Sequence, residues 1–178
     1  MTVICVSRRL VMALVLAAGL AATGSTTAGG AAGVRIIHMM DQCDPATFNA
    51  ALGPGTCIGN SGGVPLDTLL RVLGQTGQFG AWHFAPREIR LQEGHMFQAV
   101  NHGGEVHTFT EVDEFGGGIV DELNQLSGNL ERAPECNTLE LHDFIPPGAS
   151  SEPEAEESGT HHYQCCIHPW MRADVIVR

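Results

Sequence analysis

Lysine is absent from this 178-residue chain: its nine basic residues are all arginine, set against twenty acidic ones. So acidic a surface repels a phosphate backbone, which excludes nucleic acid and favours a protein partner with a basic docking patch. The same charge also keeps an exported protein in solution. No apolar run reaches the roughly 20 residues of a membrane-spanning helix. The longest, Leu10 to Ala22, follows Arg8 and Arg9, which is the layout of a secretory signal peptide. Cleavage is expected near residue 28, among the small residues between Gly24 and Gly33. The mature chain is thus expected outside the cytoplasm, periplasmic or extracellular, with no transmembrane segment. Cys-x-x-Cys pairs are missing, and with them the usual structural zinc site and the Cys-x-x-Cys-His haem attachment. Internal repeats and strand–helix alternation are missing too, which excludes solenoids and a doubly wound sheet.

What remains after the leader is roughly 150 residues, enough for one domain with a real core. Seven arginines then face twenty carboxylates, a net charge of about −13. Five cysteines remain: Cys43, Cys57, Cys136, Cys165 and Cys166. Outside the cytoplasm thiols tend to pair, so an odd number calls for a reason, and a metal-bound thiolate supplies one.

Val34 to His38 reads as a short strand, and Asp44-Pro45 as an N-cap and first-turn proline opening a helix through about Leu52. Cys43 and Cys57 flank this unit, and a disulfide between them would close a loop of roughly 15 residues, stabilising by about 3 kcal/mol. After Pro65, leucines 66, 69, 70 and 73 recur at helical spacing, with Gly74 placed as a C-terminal cap. From Ala81 the apolar residues fall into short segments divided by Pro86, Glu93-Gly94 and Gly103-Gly104, which reads as strands joined by turns. Residues 116–128 read as a helical insertion, 147–160 as an acidic solvated loop, and 161–166 and 173–177 as closing strands. The fold class is therefore an all-β sandwich with short helical insertions. Three regions are expected: a leader at 1–28, an extension at 29–79 whose two short helices pack on the core, and the core at 80–178.

The most informative stretch is His161-His162-Tyr163-Gln164-Cys165-Cys166-Ile167-His168-Pro169-Trp170-Met171. Cys-x-x-His-x-x-Met puts a thiolate, an imidazole and a thioether on one tight loop between two strands. That soft set, completed by a second imidazole, is what a type 1 (blue) copper ion takes: His₂Cys near a plane with a weak axial Met. The second imidazole has to come from a neighbouring strand. His107 lies where the Gly103-Gly104 turn feeds a strand and is the best candidate; His102, inside the turn, is the reserve. Zinc fits less well, because methionine is a poor zinc ligand.

The 165–171 loop resembles that of amicyanin and related plastocyanin-like cupredoxins, with Cys-x-x-His-Pro-aromatic-Met followed by a Val-Ile-Val strand. The Asn101…His107-Thr108-Phe109 segment resembles the family's first-histidine strand, and the resemblance covers about residues 80–178. It implies an antiparallel Greek-key sandwich holding one copper ion near one end through His107, Cys165, His168 and Met171. It further implies that the Thr108 backbone N–H donates to the Cys165 sulfur. His168 would lie near the surface as the electron's route, with Pro169 and Trp170 as an apolar docking rim; Trp170 as ordinary core is the other reading. Neighbours on a strand point to opposite faces, so only one of Cys165 and Cys166 can face the metal. The three-residue step to His168 selects Cys165, leaving Cys166 free to pair with Cys136. His161, His162 and Tyr163 are expected to be structural or exposed.

The function expected is one-electron transfer to a redox partner by a monomeric copper protein. An envelope copper carrier or sensor without redox turnover is the alternative. Copper oxidases and nitrite reductases carry a His directly beside the ligand Cys. Here the neighbours are Gln164 and Cys166, so no enzyme is expected.

Overall fold

A computed structural model describes residues 33–59 and 63–178, so the leader expected at 1–28 lies outside the described residues. In chain order the strands are β1 (Arg35–Met40), β2 (His83–Ala85), β3 (Glu88–Leu91), β4 (Phe97–Asn101), β5 (His107–Thr108), β6 (Thr110–Val112), β7 (Phe144–Ile145), β8 (Gly159–Gln164) and β9 (Arg172–Val177). The helices are α1 (Pro45–Leu52), α2 (Leu66–Thr76) and α3 (Asp121–Ser127). None of the described helices is long and apolar enough to cross a membrane.

Apolar residues alternate along the strands, and the buried set from one sheet faces the buried set from another. One sheet has the order β2-β1-β4, a second β3-β9-β8-β6, and β5 pairs with β7. Ile37, Met39, Phe84, Phe97 and Ala99 of the first meet Ile89, Leu91, Tyr163, Ala173, Val175 and Val177 of the second in one core cluster. Each large side chain so buried is worth roughly 1.5–3 kcal/mol. The all-β sandwich with short helices is therefore what the chain forms.

Two details depart from expectation. The sheets are mixed, since β1–β4 and β3–β9 run parallel. The chain changes sheet between β2 and β3 and again between β3 and β4, so the parallel neighbours come from distant stretches, while β8 and β9 form an antiparallel hairpin. Nor is residue 79 a boundary between extension and core: β1 is hydrogen-bonded between β2 and β4 as the middle strand of its sheet.

The helices follow their local signals with one correction. Asp44 accepts from the N–H groups of Ala46 and Thr47 with Pro45 at the first turn, as a capped start requires. The second helix does not stop at Gly74. It continues to Thr76, where Gly77 at φ +69° closes it through an N–H bond to the Leu73 carbonyl. Gly74 serves close packing instead: a Cβ there would lie 3.1 Å from Leu126 Cδ2 on α3.

The stretch at 147–160 is more than a solvated loop. Ser151 N–H donates to Ala99 O at 2.9 Å and Glu154 N–H to Phe97 O at 2.8 Å, so the segment covers the outer edge of β4. It thereby brings Glu154 to Tyr163, whose hydroxyl lies 2.8 Å from carboxylates of both Glu154 and Glu156. Burial raises the pKa of Glu154, and repulsion from Glu156, Glu111 and Asp143 adds to this, against the opposing Tyr163 hydrogen bond. A carboxyl whose pKa is raised on folding contributes stability that is complete below its unfolded value and is lost as pH rises through the folded one. Glu154→Gln keeps an acceptor for Tyr163 and has no charge to bury. Thermal melts should therefore show the variant level with the parent near pH 4 and a few degrees more stable near pH 8. A difference independent of pH would contradict this assignment.

Candidate metal centre

The turn leaving β4 is tied down from within. Asn101, fully buried, donates to Glu105 O at 2.8 Å and to Ile145 O at 2.9 Å and accepts from Gly103 N–H. Asp41, just past the end of β1, completes the turn. Its Oδ1 accepts from Cys43 N–H and Gly104 N–H, and its Oδ2 from Glu105 N–H. Gly103 and Gly104 are required by this close approach: a Cβ on the first would run into the Asp41 carboxylate, and one on the second would sit 2.6 Å from Cys43 Sγ. This fixed turn launches β5, so His107 enters the interior on a rigid base.

The other donors come from the loop between β8 and β9. Cys165 N–H donates to Met171 O at 3.0 Å and Met171 N–H to His168 O at 2.9 Å, which closes the loop tightly. His107 Nδ1 and His168 Nδ1 each lie 3.7 Å from Cys165 Sγ and 3.2 Å from one another. An ion about 2.0 Å from each nitrogen and about 2.3 Å from sulfur would see these atoms at roughly 105° to 120°, close to a trigonal plane. The donor set therefore fits a single soft ion. Cys165 and His107 are fully buried and His168 is 2% exposed, so the donors face little competition from water.

Sulfur and imidazoles are electronically prepared for that role. Thr108 N–H and His168 N–H each approach Cys165 Sγ at 3.4 Å, the first as the resemblance implies. Burial alone would raise the Cys165 pKa. Hydrogen bonds and charge from His107 and His168 reverse that and place it well below the ordinary thiol value. Burial likewise opposes charge on His107, but Asp41 and the Cys165 sulfur outweigh it and push that pKa up to about 9. The Asp41 carboxylate, 2.9 Å from His107 Nε2, is held well below the usual range: burial works against ionisation, and the hydrogen bonds from His107, Glu105 and Gly104 overcome it. With Nε2–H donated to Asp41, Nδ1 is the nitrogen that faces the sulfur, and the proton it carries there is the one a metal ion would displace.

His168 has a carboxylate behind it as well. Its Nε2 is 3.6 Å from Glu105 Oε2, which also accepts from Trp82 Nε1–H at 2.6 Å. Trp82 in turn stacks on Phe48 of α1 and on Phe79. The helical region thus backs the centre through an aromatic stack and one buried glutamate.

The structure brings together His107, Cys165 and His168 of the expected ligands. Met171 is fully buried in the same loop, clasped by backbone bonds to Cys165 and His168. His102, the reserve, is exposed on the outside of its turn and is not at the centre; its ring meets His38 instead. His168 itself is buried, with Glu105 3.6 Å from its Nε2 and the half-buried Trp170 edge-on at 5.4 Å between ring centroids. Trp170 is half-buried and packs against the core, so it is neither fully core nor a free rim. Cys166 turns to the opposite face, forms a disulfide with Cys136 and packs with Val112 and Ala133, while Cys43 pairs with Cys57. Among the described residues Cys165 alone is a free thiol. His161 and His162 face Glu111 and Asp174 at 2.7 Å, as structural groups.

Asp41 and Glu105 were missed in the sequence. Asp41 stands 66 positions from His107 and belongs to no motif. The double glycine was the available signal, since it marks a place where another group comes close.

No family model and no curated protein matches the chain. Among solved structures, a purple cupredoxin from Nitrosopumilus maritimus is similar at 16% identity and a TM-score of 0.44, over 81% of this chain and 99% of that one. Amicyanin from Paracoccus versutus is similar at 21% identity and a TM-score of 0.35, over 54% of this chain and 73% of that one.

Proposed function

We propose that this chain binds one type 1 copper ion through His107 Nδ1, Cys165 Sγ, His168 Nδ1 and the thioether of Met171, and serves as an exported one-electron carrier. The observation that carries the reading is the dry, preformed triangle of two imidazole nitrogens and one activated sulfur. Bound copper would supply a couple that cycles between Cu(I) and Cu(II). The chain's own residues do the rest. Cys165, loaded with two N–H contacts, holds its negative charge without a proton. Asp41 and Glu105 stand behind the two imidazoles and keep them from swinging when charge changes. Trp170, half-exposed and edge-on to His168, is where the centre approaches the surface and where a partner would dock. The acidic surface favours a partner with a basic patch.

The burial of His168 supports retention of the ion over hand-over to another protein, and so the electron carrier over the copper carrier or sensor. The test is spectroscopic and electrochemical. Copper added to the folded chain should give an intense thiolate-to-copper band in the visible range that bleaches and returns on cycles of reduction and oxidation, with no copper released to a chelator. A weak band, or release on reduction, would overturn the reading.

A further inference from the structure

The histidine at 102 has a place of its own. On β1 the burial alternates so that Ile37 and Met39 face the core while His38 projects from the opposite face of the sheet. His102, directly after β4, is held beside it by its own backbone N–H bonded to Met39 O at 2.9 Å. The result is two exposed imidazoles from chain positions 64 residues apart, His38 Nδ1 lying 2.9 Å from His102 Nε2 with ring centroids 4.9 Å apart. Both are carried on hydrogen-bonded backbone, so the pair is fixed in place rather than assembled from mobile loops. Neither ring has a carboxylate partner among the described residues. Met40, on the same face, stands opposite His83 in the antiparallel register with β2, which adds a thioether and a third imidazole to this surface.

Two nitrogens at this spacing match adjacent corners of a square. With metal–nitrogen bonds of about 2.0 Å, cis ligands of a square-planar ion are about 2.8 Å apart, whereas tetrahedral ligands sit at about 3.3 Å. Tetragonal nitrogen and oxygen coordination is the preference of Cu(II), which also heads the divalent affinity order. We propose that His38 and His102 form a second, solvent-facing copper(II) site on the outer face of the β2-β1-β4 sheet, with water in its remaining positions. The ion it takes is a hydrated divalent one, unlike the soft, dry environment at Cys165. The site is independent of the buried centre and shares no ligand with it.

The test uses the folded chain already holding one equivalent of copper. Titration with further Cu(II), followed by electron paramagnetic resonance and calorimetry, should show one more equivalent with a tetragonal, nitrogen-ligated signal. His38→Asn and His102→Asn should each weaken that second binding by roughly 100-fold, as expected when one arm of a two-point attachment is lost. Both rings are exposed, so the variants should melt with the parent and show an unchanged visible band. Absence of a second equivalent would mean the rings share only a hydrogen bond and would overturn the proposal, as would second binding in the variants as strong as in the parent. A chain that never develops the visible band would count against the buried centre alone, because loss of the tetragonal signal in the variants is read separately.

Discussion

Cys165→Ser is expected to fold and yet to give no intense visible band with copper, while Cys166→Ser keeps the band and loses stability. The two cysteines are neighbours in sequence and opposite in duty. Sulfur at 165 lies 3.7 Å from both imidazoles, and no other described thiol is free to replace it. A serine hydroxyl can accept the N–H contacts from Thr108 and His168, so the cavity stays polar and matched, but an alcohol is neither soft nor ionised at neutral pH. Sulfur at 166 closes a bridge to Cys136 across 30 residues. Opening it should cost about 3 to 4 kcal/mol through the freedom returned to the unfolded chain. Absorption spectra and denaturant titrations on both variants check this. Colour that survives in Cys165→Ser and vanishes in Cys166→Ser would mean that the other sulfur holds the ion.

Asp41→Asn should be the most damaging change that leaves every ligand in place. Asp41 accepts four N–H groups, two on each oxygen, from Cys43, Gly104, Glu105 and His107. An amide has one oxygen and one NH₂, so whichever way it turns, two of those donors face another donor. Each stranded donor costs roughly 1–3 kcal/mol in a buried place. His107 can answer the amide by moving its proton to Nδ1, and that blocks the nitrogen that faces Cys165. Copper affinity should then fall by roughly 10- to 100-fold, the range for losing a partner behind a ligating histidine. Competition with a chelator measures the affinity. The potential supplies a readout that plain destabilisation would not move: removing a buried anion favours Cu(I), so the potential should rise. Unchanged affinity and potential in a folded Asp41→Asn chain would show that His107 needs no help from Asp41.

Local pattern predicted the starts of α1 and α2, the strand-rich second half and the loop from Cys165 to Met171, because those depend on neighbours a few residues apart, whereas the helix expected over 116–128 spans only Asp121–Ser127. Asp44-Pro45 has little freedom to be anything but a helix start, and Cys-x-x-His puts sulfur and ring on one turn wherever it folds tightly. The two disulfides followed from counting thiols and from the alternation of strand faces. What escaped the sequence depends on the third dimension. Val34 to His38 looked like part of a preamble, yet the core cannot be built without it, since parallel pairing with β4 joins segments some 60 residues apart. Gly74 looked like a helix stop because the approach of α3 was invisible. The burial of His168 could not be read either, since Glu105, held by Trp82 on the stack begun at Phe48, and Trp170 close over it only in the folded chain.

The Cys43–Cys57 bridge lies directly behind Gly104, with both sulfurs close to where that residue's missing side chain would be. The bridge therefore works as a backstop: Asn101 and Asp41 hold the turn from within, and the paired sulfurs fill the space behind it. A reductant that opened this crosslink would loosen the footing of His107 while leaving every metal-facing atom chemically intact.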